Sequence, residues 1–302
     1  MNVLKIRKEL QLIVLLSGLL LTAFSASAQD FTNDQKILAD YQKSVDSLLT
    51  KTKSVTATAA LAVLKAPSIT LEINLAKDTK KALSPNALYE FAKKSILIVG
   101  CSYLCPKCSN THLSESTGYV IDAKGIVVTN YHVVNTYADM HDGFKPVAFT
   151  VRLANGHVYA VKSILTASKK NDLAILQLET NGDMLPALPL AKSANVGDQV
   201  FVLGHPKGMH YFFSQGNVTN RYMEEAGPDD ARFFREMMTI SADYATGSSG
   251  GPVLDLYGRV VGTVSNTKMY THSEMNPSVQ MVVKNTVPVE SLWKLIRSES
   301  NQ

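Results

Sequence analysis

Short apolar runs ended by turn residues recur from about residue 95 to about residue 287, and they constrain the fold more than any other feature. Val147–Leu153 and His157–Ser163 alternate apolar and polar residues around Asn155-Gly156, a dipeptide typical of tight hairpin turns. Thr117–Asp122 and Gly125–Asn130 predict a further hairpin. Many short strands with frequent turns are typical of all-β barrels or of a β-sandwich.

The first 28 residues have the pattern of a secretory signal. Basic residues precede the apolar core Leu12–Leu21, and Ala26-Ser27-Ala28 suits cleavage before Gln29. This core is shorter than the roughly 20 residues that a membrane span requires, and no later stretch is long enough. We therefore expect a signal peptide over residues 1–28 and an exported chain, periplasmic or secreted, with no stable membrane span; an uncleaved anchor is the alternative.

The net charge gives no argument for a nucleic-acid partner. The chain carries a formal charge of +4, and three basic residues minus Glu9 supply +2 of it within the first 28 residues. The remaining +2 is nearly neutral, so no nucleic acid is expected as a partner.

Residues 29–83 are interpreted as an N-terminal extension, separate from the rest of the chain. Thr32–Gln35 is a capping-box pattern, and apolar residues at helical spacing continue from Ile37 to Leu49. A Thr/Ala/Ser-rich run comes next, and Ile69–Leu75 alternates like a strand. The extension is expected to serve packing or a subunit contact, and self-association into a homo-oligomer stays an open role. A helix beginning at Ser84-Pro85 leads into the next strand.

All three cysteines lie within one short segment, as Cys101, Cys105 and Cys108, and His112 comes four residues after the last of them. An odd count in an exported chain predicts one disulfide and one leftover thiol. The spacing of Cys105 and Cys108 also suits a zinc site completed by the third thiolate and His112. An oxidising compartment favours the disulfide and opposes an iron–sulfur cluster. In either case we expect the cluster to stabilise a loop outside the active site. We expect no cofactor.

The segment Thr246–Val253 is a serine flanked by glycines between two apolar runs. A serine hydroxyl becomes a good nucleophile when a base takes its proton and N–H groups stabilise the oxyanion that forms. Glycine lets the backbone turn tightly enough for such N–H groups to converge. We therefore interpret Ser249 as the nucleophile, with the N–H groups of Gly247 and Ser249 as the oxyanion hole.

Two further residues stand at strand ends. His132 comes directly after the strand Gly125–Asn130 and Tyr131, and Asp172 precedes the apolar run Leu173–Leu178. A carboxylate in that position could accept the Nδ1–H of a histidine. Each residue taken alone is more often structural than catalytic.

In the order His132, Asp172, Ser249, with these neighbours, the chain resembles the trypsin-like serine proteases, and most closely the bacterial HtrA/Deg type. The segments that carry the resemblance are Thr117–Ile121, Val128–Val134, Asn171–Leu176, Gly204-His205-Pro206 and Gly247–Pro252. The resemblance covers about residues 86 to 298.

The resemblance implies an all-β fold of two antiparallel six-stranded β-barrels, preceded by a helical extension and followed by a helix. The protease domain is then expected over residues 84–298, with barrel one at about 95–180 and barrel two at about 196–287. His132 and Asp172 would come from the first barrel and Ser249 from the second. Only 53 residues come after Ser249, too few for the rest of a barrel and a PDZ domain, so no PDZ domain is expected.

The resemblance also implies substrate-binding residues. Val264, Ser265 and Asn266 match the segment that pairs with the substrate backbone. Asp243 lies six residues before Ser249, where trypsin-like relatives carry the acidic base of the specificity pocket. A structural aspartate at the start of the loop is the alternative for Asp243.

The sequence thus predicts an exported serine endopeptidase acting on extended or unfolded polypeptides through a Ser-His-Asp triad. The alternative is a catalytically silent trypsin-like domain that acts as a binding or scaffold module.

Overall fold

A computed structural model of the chain describes residues 31–78, 80–108 and 110–297. The signal expected over residues 1–28 and the last residue of the expected protease domain, Ser298, lie outside these ranges. The described residues from Asp34 onward belong to one compact unit. Within the described ranges, no helix combines the length and the apolar character needed to cross a membrane.

The described part of this unit is built mainly from strands, with five α-helices. The elements in chain order are α1 (Asp34–Leu49), α2 (Ala57–Lys65), β1 (Leu71–Glu72), α3 (Pro85–Lys93), β2 (Ile96–Leu104), β3 (Thr111–Asp122), β4 (Ile126–Thr129), α4 (Tyr131–Ala138), β5 (Lys145–Leu153), β6 (Val158–Ser168), β7 (Leu173–Leu178), β8 (Gln199–Gly204), β9 (Phe212–Ala226), β10 (Phe233–Ile240), β11 (Pro252–Leu254), β12 (Val260–Thr271), β13 (Val279–Pro288), α5 (Val289–Trp293) and β14 (Ile296–Arg297).

Twelve of the strands close into two antiparallel six-stranded barrels, as the resemblance implied. The first barrel has the order β2-β3-β4-β7-β6-β5 and the second the order β10-β13-β12-β11-β8-β9. Closure leaves no free sheet edge in either ring. Alternation of apolar and polar residues places one side of each strand in a barrel interior.

An apolar cluster joins the two barrels. It contains Tyr119 and Ile175 from the first barrel and Phe201 and Leu203 from the second, all fully buried. The Tyr119 hydroxyl lies 2.9 Å from Thr263 Oγ1, which adds a polar contact between the barrels. The seam, where these residues of the two barrels meet, is therefore a packed interface. It fixes the relative position of the strand ends on its two sides.

The N-terminal extension packs against the first barrel. Tyr41 of α1 is fully buried, and its hydroxyl lies 3.0 Å from Thr150 Oγ1 on β5. Ala60 and Leu64 of α2 belong to the apolar core of the first barrel. The residues after Asp34 are thus part of the same unit as the barrels, although their sequence suggested a separate segment.

Three elements differ from the sequence-based expectations. The helix α2, which was not predicted, begins within the Thr/Ala/Ser-rich run and continues to Lys65, and the Thr56 side chain caps it by accepting from Ala59 N–H. The strand expected over Ile69–Leu75 shrinks to β1, which pairs in parallel with β14 near the end of the chain. The sequence also predicts a closing helix over Pro288–Arg297, but the helix α5 covers only Val289–Trp293.

Residues 221–236 differ most. In the sequence this segment is rich in charged residues and predicts a surface excursion with a short helix, but in the structure it extends β9 and β10 into a continuous hairpin, paired from Phe233↔Ala226 to Met238↔Arg221. Arg235 and Glu224 form an ion pair across it at 2.6 Å. Because both faces of this hairpin carry charged residues, the alternation that marks a strand is hidden in the sequence.

Candidate active site

His132 is placed by the transition from a strand to a helix. β4 ends at Thr129, and α4 begins at Tyr131, so His132 lies in the first helical turn. The His132 N–H has no helical acceptor at that position and donates to Asp172 Oδ1 at 3.1 Å. The Asn130 amide donates to the Asp172 carbonyl at 2.8 Å, which ties the start of α4 to the residue before β7.

Asp172 is a buried carboxylate with two partners. Its two oxygens each lie 3.0 Å from His132 Nδ1. Asp172 Oδ2 also accepts from Ser265 Oγ at 2.6 Å. An imidazole that donates through Nδ1 leaves Nε2 as its basic nitrogen. The arrangement therefore favours the tautomer that can accept a proton through Nε2.

The loop before Ser249 is fixed by hydrogen bonds on both sides. The Thr246 carbonyl accepts from Lys207 N–H at 2.7 Å, and the Ser248 carbonyl accepts from Gly251 N–H at 2.9 Å. C=O and N–H point in opposite directions in a trans peptide, so the N–H groups of Gly247 and Ser249 point away from these partners. Neither N–H donates to an acceptor within the described ranges. Both are thus free to bind an oxyanion.

Gly247 has a backbone conformation that requires glycine. Its φ is +100°, and a Cβ atom there would collide with the His205 carbonyl oxygen. Its own carbonyl accepts from Thr117 Oγ1 at 2.8 Å, and Thr117 N–H donates to the Ser249 carbonyl at 2.9 Å. Thr117 of the first barrel therefore holds the serine loop of the second.

Ser249 lies in a cavity of about 410 Å³ that it shares with His132. The other residues around the cavity are Tyr244, Ala245, Thr246, Val264, Ser265, Asn266 and Thr267. The Ser249 hydroxyl donates to the Ser265 carbonyl at 3.4 Å. Within the described residues it makes no hydrogen bond to the imidazole, an interaction that often tightens only when substrate binds.

The structure brings Val264, Ser265 and Asn266 into this cavity but not Asp243. The Asp243 side chain is 79% exposed, lies 3.4 Å from Lys284 Nζ on β13 and does not border this cavity, so its role in a specificity pocket stays a prediction. The buried residue Tyr244 borders the cavity, and its hydroxyl lies 3.0 Å from the Asn266 carbonyl oxygen and 2.7 Å from that of Asn285.

The cysteine segment lies at the tip of the β2–β3 hairpin. Cys105 Sγ is 2.8 Å from Cys108 Sγ, which is 2.9 Å from His112 Nε2. All three cysteines are free thiols. A hydrogen bond from Cys108 is the main cause that lowers the pKa of Cys105 to about 7.

Cys101 does not belong to this group, contrary to the four-residue cluster expected from the sequence. It is buried in the core of the first barrel, and burial raises the pKa of its thiol to about 12. β2 carries its side chain inward, whereas Cys105 lies beyond the end of that strand.

Two supporting residues were not predicted from the sequence. Ser265 was expected only as a backbone contact for substrate, yet its side chain holds Asp172. Thr117 was noted only as part of a strand, yet it braces the loop that carries Ser249. Both contacts span the two barrels, so only the closed fold reveals them.

Comparison with known proteins identifies the domain. Residues 116–262 match the family model of the trypsin-like peptidase domain. The chain is 31% identical over 183 residues to Protease Do-like 5, chloroplastic, of Arabidopsis thaliana, covering 60% of this chain and 55% of the relative. It is 32% identical over 167 residues to the putative serine protease HhoA of Synechocystis, covering 54% of this chain and 39% of the relative. It is also 32% identical over 162 residues to a probable periplasmic serine endoprotease, DegP-like, of Hahella chejuensis, covering 53% and 31%. The chain thus spans about half or less of the length of these relatives.

A solved structure agrees in fold. The active form of the Rv3671c protease from M. tuberculosis matches with a TM-score of 0.53 and 23% identity, covering 76% of this chain and 89% of that one. At this identity the match supports the fold alone. Together with the two closed barrels, the match over residues 116–262 shows that this part of the chain is a trypsin-like peptidase domain, and the chain is similar in sequence to Do-like proteases and DegP-like serine endoproteases.

Proposed function

We propose that the chain is a serine endopeptidase in which Ser249, His132 and Asp172 form the catalytic triad. One observation carries the proposal: the Asp172 oxygens lie 3.0 Å from His132 Nδ1, while His132 and Ser249 border the same cavity. The N–H groups of Gly247 and Ser249 beside that cavity supply the oxyanion hole. The names of the relatives, which include serine proteases and endoproteases, support the same chemistry.

The proposed reaction rests on these positions. His132 Nε2 takes the proton of the Ser249 hydroxyl as Ser249 Oγ attacks the peptide carbonyl carbon. The N–H groups of Gly247 and Ser249 stabilise the resulting oxyanion. His132 then protonates the departing amine, and water hydrolyses the acyl-enzyme by the reverse sequence of proton transfers. Asp172 keeps the imidazole in the required tautomer and stabilises its charged form throughout.

The substrate is proposed to be an extended polypeptide. The Ser265 carbonyl contacts the nucleophile and is well placed to accept a backbone N–H of a bound peptide. Main-chain hydrogen bonds of this kind bind an extended segment with little regard to its sequence. A folded substrate would have to expose such a segment before it could enter the cavity.

Export to the periplasm or the cell exterior is part of the proposal. It rests on the signal pattern of residues 1–28 and on the names of the DegP-like relatives, which are described as probable periplasmic endoproteases. Comparison of the N-terminus of the mature protein with the expected start at Gln29 tests it.

A silent binding module is the second candidate, favoured by one observation. The Ser249 hydroxyl donates to the Ser265 carbonyl and not to His132 among the described residues. If that arrangement were permanent, the serine would lack a base.

A fluorophosphonate probe separates the two candidates because it reacts only with an activated serine. We expect one adduct, mapped to Ser249 by mass spectrometry, which is lost in Ser249→Ala and retained in Ser273→Ala, an exposed serine outside the site. Folded protein without an adduct would favour the binding module.

A further inference from the structure

The tip of the β2–β3 hairpin gathers three side chains with metal-binding atoms. Among the described residues, Cys105, Cys108 and His112 are the one such group of histidine, cysteine or acidic residues, and one candidate ligand atom from each lies within 4.8 Å of the others. The group plays no part in the proposed peptidase chemistry. From this geometry we infer that Cys105, Cys108 and His112 bind a single zinc ion.

The distances suit a small ion held by two sulfurs and one nitrogen. In a tetrahedral site with Zn–S of about 2.3 Å and Zn–N of about 2.0 Å, neighbouring ligand atoms are about 3.5–3.8 Å apart. The observed Sγ–Sγ distance of 2.8 Å is about 1 Å shorter than this spacing, and the Sγ–Nε2 distance of 2.9 Å is about 0.6 Å shorter. Cys105 is only half-buried and Cys108 is exposed, so small side-chain rotations open the group by that amount.

The position of His112 distinguishes a metal site from a simple dithiol pair. His112 lies directly across the hairpin from Tyr103, and the two rings stack with centroids 5.4 Å apart. The Phe144 ring packs in turn against Tyr103, with the two centroids 5.8 Å apart. These contacts hold the imidazole with Nε2 toward Cys108. A disulfide between Cys105 and Cys108 does not involve an imidazole, whereas a zinc ion binds one as a ligand.

The set of ligands selects the kind of ion. Thiolate and imidazole suit zinc, whereas magnesium and calcium require oxygen ligands, which this group does not offer. Cys101 is buried in the barrel core and cannot supply a third thiolate. The site therefore has three protein ligands, and the fourth position is open to water or to a group from another molecule.

The hairpin also connects this site to the serine loop. β3 begins at Thr111, at the tip of the hairpin, and includes Thr117. Thr117 forms hydrogen bonds with both Gly247 and Ser249. Zinc would cross-link the tip of this hairpin and oppose its fraying, so it should raise the thermal stability of the folded chain by binding only that state.

The test is zinc binding by the reduced full chain without a polyhistidine tag, measured by competition with a chromophoric chelator. We expect one zinc ion per chain, a rise in Tm with added zinc, and intense thiolate-to-metal bands when cobalt replaces zinc. Cys105→Ser, Cys108→Ser and His112→Ala should each weaken binding at least about tenfold. His272→Ala, a change at an exposed histidine elsewhere, should bind zinc as the unchanged chain does.

Three results would overturn the inference. One is reduced, folded protein that takes up no stoichiometric zinc. Another is an unchanged zinc affinity in His112→Ala, because the two thiols would then bind the ion without the imidazole. The third is protein that forms the Cys105–Cys108 disulfide even when purified with zinc present, shown by thiol titration and peptide mapping.

Discussion

The Ser265 hydroxyl donates a 2.6 Å hydrogen bond to Asp172 Oδ2, across the seam between the two barrels. The bond leaves the carboxylate with a fixed orientation toward His132 Nδ1. A hydrogen bond to a charged group contributes about 1.5–3 kcal/mol, so its loss should be measurable. Ser265 is thus a positioning residue for the proposed triad.

Ser265→Ala should lower kcat by about tenfold with little change in KM, because substrate contacts the backbone of Ser265 and not its side chain. Steady-state kinetics on a fluorogenic peptide checks this. Ser265→Thr, which keeps the hydroxyl, should restore most of the rate. A loss that appears only in KM, or no loss at all, would show that the bond does not position the carboxylate.

Gly247→Ala should lower kcat/KM at least about 10²-fold, the effect of losing one oxyanion donor. Its φ of +100° disfavours any other residue, and the added Cβ would displace the loop from the His205 carbonyl. Gly182→Ala is the matched control, since Gly182 also has a positive φ, +95°, but has open space around its Cβ position. Equal kcat/KM in both variants would contradict the assignment of Gly247.

The surroundings of His210 predict that the free energy of unfolding depends on pH. Its side chain is only 1% exposed, with Nδ1 2.9 Å from Asp34 Oδ1 and Nε2 3.2 Å from Glu115 Oε1. Burial alone would lower the pKa of His210, but the two carboxylates outweigh burial and raise it. The adjacent His205 stays neutral, because burial lowers its pKa to about 3.

Because the pKa of His210 is higher in the folded state than in the unfolded state, where it is about 6.5, protonation of His210 stabilises the fold below about pH 6.5. This stabilisation is lost as the pH rises through the pKa of the folded state. The difference in free energy of unfolding between the unchanged chain and His210→Gln should therefore be largest below about pH 6.5 and shrink as the pH rises above it through the raised pKa of the folded state. Urea denaturation at a series of pH values measures it. A difference that is constant over this range would rule out a charged His210.

Tyr41 predicts that helix α1 is an integral part of the folded unit. Tyr41→Ala should lower the free energy of unfolding by about 3–5 kcal/mol, because it empties a fully buried site. Tyr41→Phe removes only the hydroxyl, with its contacts to Thr150 Oγ1 and the Ile98 carbonyl, and should cost about 0.5–1.5 kcal/mol. Tyr270→Phe on the exposed part of β12 serves as control. If Tyr41→Ala unfolds like the unchanged chain, α1 does not contribute to the unit.

Individual turns and helix starts could be predicted from local patterns, which left barrels or a sandwich open, whereas the two six-stranded barrels were predicted only from the resemblance. The dipeptide Asn155-Gly156 predicted the β5–β6 turn, and Gly156 has the positive φ that such a turn requires. Ser84-Pro85 likewise predicted the start of α3, where the Ser84 side chain accepts from Ala87 N–H. Local signals of this kind do not depend on the rest of the chain.

The differences from the sequence-based expectations involve partners distant in sequence. β1 pairs in parallel with β14, which lies more than 200 residues later in the chain. Asp243 pairs with Lys284 on a strand some forty residues later, which no motif near Ser249 reveals. The same holds for the separation of Cys101 from the other cysteines, since only the barrel shows which face of β2 is buried.

The most direct test of the proposed triad is cleavage of an unfolded peptide library by the unchanged chain beside Ser249→Ala and Asp172→Asn, with new termini mapped by mass spectrometry. We expect cleavage by the unchanged chain, and rates at least about 10³-fold lower in both variants, each of which should still be folded at the assay temperature. Cleavage by folded Ser249→Ala at the rate of the unchanged chain would contradict the triad.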